Sequence, residues 1–181
     1  FIKQNKQPDS FFLNDFAALI SRITASEKPV LLFGVSFALI DFADGYTSYK
    51  ELTIIETGGM KGRKKEITKD QLYHRIQTSF PRAKIISEYG MTELQSQAYS
   101  NEIGKYVCPP WMKVLPRTDN DPLSNSITNK RAALNIVDLA NLDSCCFVAT
   151  DDLGRVYNDG SFEVLGRLDN ADLRGCSLLA L

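Results

Sequence analysis

Apolar positions in the first half of the chain switch repeatedly between a helical and a strand-like spacing. Phe12, Phe16, Leu19, Ile20 and Ile23 fall on one helical face behind Ser10, a residue able to cap a helix. After Pro29, the run Val30 to Phe33 is apolar on both faces, as a buried parallel strand must be, and Gly34 ends it before a helical Ser36 to Ile40. Leu52 to Ile55 reads as a second such strand and empties into Glu56-Thr57-Gly58-Gly59. Thr68 and Gln71 form a capping box, and Leu72, Ile76 and Phe80 then repeat every fourth residue until Pro81. A third apolar run, Ala83 to Ile86, leads into Ser87-Glu88-Tyr89-Gly90-Met91-Thr92-Glu93, which reads as a tight polar turn. Alternating helices and buried strands predict an α/β fold: a parallel sheet with helices on its faces.

The pattern changes near Lys105. Tyr106 to Leu115, Leu134 to Leu139, Cys145 to Thr150, and Val156 paired with Phe162 to Leu165 across Asn158-Asp159-Gly160 read as strands without intervening helices. Residues 1–104 are therefore expected to form the α/β subdomain. Residues 105–181 are expected to form a β-rich subdomain, an antiparallel sheet or distorted barrel packed beside it. The polar stretch Asp119 to Asn129 reads as a loop.

Composition narrows the class. With 21 basic and 22 acidic residues among 181, the chain lacks the basic excess that nucleic acid or an anionic membrane would select, and neither is an expected partner. The longest apolar run, Val30 to Ile40, is interrupted by Gly34 and Ser36 and is too short to span a bilayer. The first residues carry neither an initiator Met nor a signal-peptide pattern, and Cys108, Cys145, Cys146 and Cys176 show no disulfide-framework spacing. A cytoplasmic protein with reduced thiols is the expectation, with Cys145 and Cys146 in the core.

Ligands bind outside the carboxyl ends of strands in open α/β sheets. The turn at residues 89–93 places an aromatic ring, a glycine, a hydroxyl and a carboxylate at such an end. Together these suit a nucleotide phosphate and a hard cation, although for the pentapeptide taken alone the favoured reading is a packing Tyr, a turning Gly and a helix cap.

Tyr89-Gly90-Met91-Thr92-Glu93 resembles the Tyr-Gly-x-Thr-Glu signature of adenylate-forming enzymes, the superfamily of acyl-CoA synthetases, luciferases and peptide-synthetase adenylation domains. With the continuation Leu94 to Ser100 and the upstream Thr57 to Arg63, it is more similar to the acyl-protein synthetases, the fatty-acid-activating subunits of bacterial luciferase fatty acid reductase complexes. The resemblance implies ATP and magnesium as cofactors and a fatty acid as substrate, with an acyl reductase and an acyl-transferase subunit as possible partners. It assigns Tyr89 to stacking on adenine, Thr92 to the phosphates, Glu93 to magnesium and catalysis, and Gly58 and Gly59, with Gly90, to the lining of the nucleotide and acyl pockets. Ala149 to Arg155 resembles the superfamily's Thr-Gly-Asp-Leu-Gly-Arg stretch, which puts Asp152 on the ribose hydroxyls and Asp151 where glycine is usual. Gly166-Arg167-Leu168-Asp169 resembles its hinge, with Arg167 toward ribose or phosphate. Cys176, in Arg174-Gly175-Cys176-Ser177, stands where acyl-protein synthetases carry the cysteine that takes the acyl group, with a small apolar core residue as the equal alternative.

Two features depart from the superfamily. No stretch resembles its Ser/Thr/Gly-rich phosphate loop, and only six residues follow Gly175, too few for its lid domain and catalytic lysine. The expectation is a carboxyl-terminal piece of a longer enzyme, inactive alone. A coenzyme A ligase and a non-catalytic interaction domain are the alternatives. Lys61, Arg63, Lys64 and Lys65 read as a solvated loop and His74 as a surface residue, while neither a Gly-x-Ser-x-Gly nor a Gly-x-Gly-x-x-Gly motif supports a hydrolase or a dinucleotide site.

Overall fold

The computed structural model describes residues 10–59, 67–125 and 127–168. The first helix, α1 (Phe16–Ala25), is capped by Asp15 and not by Ser10: Asp15 Oδ1 accepts from Ala18 N at 3.0 Å. A turn closed by Asp15 N donating to Phe12 O at 2.7 Å delays helical geometry past Ser10. Strand β1 (Val30–Val35) continues through Gly34 into α2 (Ser36–Gly45). Gly34 is there for a close approach, because a Cβ would lie 2.7 Å from the Leu39 side chain. The next elements are β2 (Leu52–Thr57) and α3 (Lys69–Ser79), whose capping box forms as expected: Thr68 Oγ1 accepts from Gln71 N at 3.2 Å and Gln71 Oε1 from Thr68 N at 3.1 Å.

Strand β3 (Ala83–Tyr89) is longer than its apolar run. Ser87 and Glu88 pair with Glu56 and Thr57 of β2, and Glu88 and Tyr89 pair with Tyr99 and Ala98 of β4 (Ala98–Glu102), so the polar turn starts at Gly90 and not at Ser87. Strand β4 has no counterpart among the sequence expectations, since its buried positions are the small residues Ala98 and Ser100. The expected strand Tyr106 to Leu115 is two, β5 (Lys105–Val107) and β6 (Met112–Arg117), because Pro109 and Pro110 lack the amide hydrogens a ladder needs. Then come β7 (Arg131–Asp138), β8 (Phe147–Val156) and β9 (Phe162–Arg167). Strand β8 absorbs two runs that the sequence separates, and Asp151 and Asp152 lie within it.

Among the described residues the strands form one nine-stranded sheet in the order β1-β2-β3-β4-β5-β9-β8-β7-β6. Pairs β1/β2 and β2/β3 are parallel and the others antiparallel. The antiparallel strands thus extend the edge of the parallel sheet instead of forming a separate one beside it. Burial is concentrated in two clusters. One joins Leu19, Ile23, Ile40, Phe42, Leu72, Ile76 and Phe80 of the helices and their ends to Leu52, Ile54 and Ala83. The other gathers Tyr89, Tyr106, Leu134, Ile136, Val156 and Phe162. The helices meet the sheet through the Leu32–Ile54–Ile85 face, while Leu31 and Phe33 of β1, which point the other way, are each 46% exposed. Cys145 is exposed and Cys146 partly exposed, against the expected core placement, because the pair precedes β8 in a turn. No described helix is long and apolar enough to cross a membrane.

Candidate functional site

Parallel pairing brings the carboxyl ends of β2 and β3 level: Thr57 and Glu88 are the last paired row, and Gly58 and Tyr89 follow them. Gly58 has φ 72°, a left-handed conformation that favours glycine. Its carbonyl accepts a hydrogen bond from Ser36 Oγ at 3.0 Å, and the same hydroxyl contacts Glu56 Oε1. Glu56 is fully buried at the end of β2, with Lys69 Nζ at 2.6 Å and Ser87 Oγ donating at 2.7 Å to its other oxygen. The Tyr73 hydroxyl shares hydrogen bonds with Ser87 and Ser100, and burial raises its pKa. A satisfied polar network therefore fixes the strand ends beneath the double glycine.

Tyr89, Asp152 and Arg167, separated by up to 78 residues in sequence, converge. The Tyr89 hydroxyl donates to Asp152 Oδ2 at 2.7 Å, and Arg167 lies 3.6 Å from Asp152 Oδ1 and 3.3 Å from Asp151 Oδ2. Strands β8 and β9 set Asp152 opposite Arg167 in register. The Tyr89 ring is 7% exposed, edge-on to Phe162 at 5.2 Å and tilted against Tyr106 at 5.8 Å. The hydroxyl contact to Asp152 is a role of this side chain that the motif does not indicate. Burial pushes the Asp152 carboxyl up; the Tyr89 hydroxyl and Arg167 oppose that, and Asp151 adds to it.

Thr92 and Glu93 are exposed on a turn closed by Leu94 N donating to Met91 O at 3.1 Å. A carboxylate and a hydroxyl presented to solvent suit a magnesium–phosphate group, which brings its own oxygens and keeps several waters. Among the described residues, no group of three or more His, Cys, Asp or Glu could hold a metal alone. Asp169 and Cys176 lie outside the described residues.

Sequence reasoning missed the support of this turn. Asp138, at the end of β7, is fully buried: Oδ2 accepts from Gln95 N at 2.9 Å and Ser96 N at 2.8 Å, and Oδ1 accepts from Ser96 Oγ at 2.7 Å and Ala140 N at 3.1 Å. Burial would raise this carboxyl, but the Ser96 hydroxyl and the amides of Ser96, Gln95 and Ala140 outweigh it and hold the carboxyl below its usual range. Asn141 Nδ2 donates to Glu93 O at 2.9 Å. The only available signal was the Asp-x-x-Asn spacing after an apolar run, which is common in turns. Beside this support a cleft of about 490 Å³ is lined by Gln95, Ser96, Tyr99, Cys108, Trp111 and Ala140 among others, none of them charged. Burial pushes the Cys108 thiol up to about 11, so it is neutral there.

Comparisons with known proteins agree on the fold. ATP-bound MatB from Rhodopseudomonas palustris has a TM-score of 0.61 at 13% identity over 84% of this chain and 33% of its own. O-succinylbenzoate coenzyme A synthetase (MenE) from Bacillus subtilis, in complex with ATP and magnesium, has a TM-score of 0.61 at 16% identity over 90% and 37%. A benzoate CoA ligase from Burkholderia xenovorans gives 0.54 at 14% over 90% and 36%. The chain thus spans about a third of these structures, and at such identities the likeness is one of fold. No curated protein matches the sequence. The family model described as acyl-protein synthetase, LuxE, matches residues 1–180, and the chain belongs to that family.

Proposed function

We propose that the protein containing this chain activates a fatty acid with ATP and magnesium and then carries the acyl group on Cys176. The observation that carries the reading is the convergence of Tyr89, Asp152 and Arg167 beside Gly58, from three separate motifs. A carboxylate is a poor electrophile, and exchange of its oxygen's charge for a phosphate leaving group makes the carbonyl reactive. One fatty acid oxygen attacks the α-phosphorus, the bond to the β-phosphate oxygen breaks, and pyrophosphate leaves. The Cys176 thiolate then attacks the carbonyl of the acyl adenylate, AMP leaves, and a thioester remains.

Asp152 is an acceptor for the ribose hydroxyls, Arg167 steadies it and faces ribose or phosphate, and the Gly58–Gly59 backbone lets nucleotide and acyl group approach closely. Thr92 would donate to phosphate and Glu93 would hold magnesium, which neutralises charge on the phosphates. The uncharged cleft two residues beyond Glu93 suits an acyl chain better than a polar acid.

The test uses the intact protein. Glu93→Gln is expected to reduce fatty-acid-dependent pyrophosphate exchange at least ~100-fold with an unchanged circular dichroism spectrum, since one charge at a metal site is removed. Cys176→Ser is expected to keep exchange and lose hydroxylamine-sensitive acyl label. Exchange at the wild-type rate in Glu93→Gln refutes the metal assignment, and label retained in Cys176→Ser refutes the nucleophile.

A further inference from the structure

The segment Gly90–Gln97 joins β3 to β4 without pairing in the sheet, so its backbone groups need partners from elsewhere. Three of them find partners on one short stretch, more than 40 residues away, where β7 gives way to a single 3-10 turn at Leu139–Asn141. Asp138 takes the amides of Gln95 and Ser96 on one oxygen and the Ser96 hydroxyl on the other, while Ala140 N completes the carboxylate's set at 3.1 Å. Asn141 donates to the carbonyl of Glu93 itself and to Cys145 O at 2.8 Å, and its own oxygen accepts from Ser144 Oγ at 2.5 Å. Trp111 locks the assembly from outside, its Nε1 donating to Ser96 Oγ and its carbonyl accepting from Leu139 N, both at 2.9 Å.

We infer that Asp138 and Asn141 are positioning residues for Glu93, a clamp that sets where its carboxylate meets the magnesium-bound nucleotide. The inference deepens the proposed function and rests on its assignment of Glu93. Glu93 is exposed on a turn, where a side chain has freedom, yet its carbonyl and the amides two and three residues on are pinned to a buried support. A fully buried carboxylate is expensive, and here four hydrogen bonds offset its desolvation. An apolar residue would fill the volume but leave the amides of Gln95 and Ser96 without acceptors. Partners that orient a metal ligand alter metal affinity about 10–100-fold when removed.

The experiment compares Asp138→Asn and Asn141→Ala with wild type in the intact protein, titrating magnesium into protein with ATP by calorimetry. The clamp predicts that the half-saturating magnesium concentration rises roughly tenfold in both variants. Nucleotide binding in magnesium-free buffer should stay at the wild-type level. A purely structural role would lower the folded fraction and leave that midpoint unchanged. Arg75→Ala, which breaks the exposed pair with Asp44, should leave the midpoint at the wild-type value. Should Asp138→Asn fail to fold, Asn141→Ala decides alone. An unshifted midpoint in the folded variants overturns the clamp while the function stands; no magnesium-dependent ATP binding by wild type overturns the proposed function and the clamp's role with it.

Discussion

Asp152 meets two opposed demands. The ribose contact proposed for it favours the ionised form, which only accepts hydrogen bonds, yet this carboxyl is 6% exposed and burial raises its pKa despite the Tyr89 hydroxyl and Arg167. A folded-state pKa above the unfolded value of about 3.9 means that the group's contribution to stability is fully present below that value and is lost as pH rises through the folded one. Above its folded-state pKa, the charge on Asp152 is therefore a cost to the free protein. Asp152→Asn, which keeps an acceptor for Tyr89 and removes the charge, is expected to melt no lower than wild type at pH 7.5. Its ATP affinity should fall about tenfold, since one acceptor becomes a donor. A lower melting temperature with unchanged ATP affinity would refute the assignment. Residue identities at this corner could be read from the motifs. The Tyr89–Asp152 bond could not, because sequence spacing does not say that β3 and β8, with β4, β5 and β9 between them in the sheet, bring these side chains together.

At the scale of elements, β8 and β9 depend on one small residue. A Cβ on Gly154 would sit 2.2 Å from the Glu163 carbonyl oxygen and 2.7 Å from Leu134 Cδ1, at the point where the β8/β9 register shifts. A backbone oxygen cannot rotate away, so Gly154→Ala is expected to destabilise by about 3 kcal/mol or more. Gly45 at the end of α2 is the control: a Cβ there meets no atom within 4 Å, and Gly45→Ala should be neutral or slightly stabilising. Equal denaturation midpoints for the two variants would refute this account. The first half of the chain was read nearly element by element because its strands are apolar on both faces and its α3 cap is explicit. The second half resisted. Strand β4 buries Ala98 and Ser100 in place of large apolar groups, two prolines split β5 from β6, and Asp151-Asp152 sit in a strand because a partner arginine balances them.

Across the whole molecule, two buried clusters share one sheet, and β3 links them, giving Ala83 to the first and Tyr89 to the second. Clusters that draw their buried residues from only one common strand are expected to unfold in two resolvable calorimetric steps in the free protein. A nucleotide held by both Gly58 and Asp152 would stabilise both, by about 2.7 kcal/mol at a hundred times its dissociation constant, and draw the steps together. Two steps that keep their separation at saturating ATP would refute that linkage. Residues of β3 at alternate positions share a face, so Ala83, Ile85, Ser87 and Tyr89 enter in turn an aliphatic layer, the same layer's edge, a polar network around Glu56 and an aromatic box. A slip by one residue would turn Lys84 and Glu88 inward, and a slip by two would drive Ser87 into the aromatics and leave Glu56 facing an aliphatic side chain. Strand β3 thus acts as a key with a distinct tooth at each level, and the last tooth is Tyr89, which the proposed function places at the nucleotide site: on that reading a chain that pairs its strands wrongly cannot bring Tyr89 to Asp152, so ATP binding would report on correct assembly.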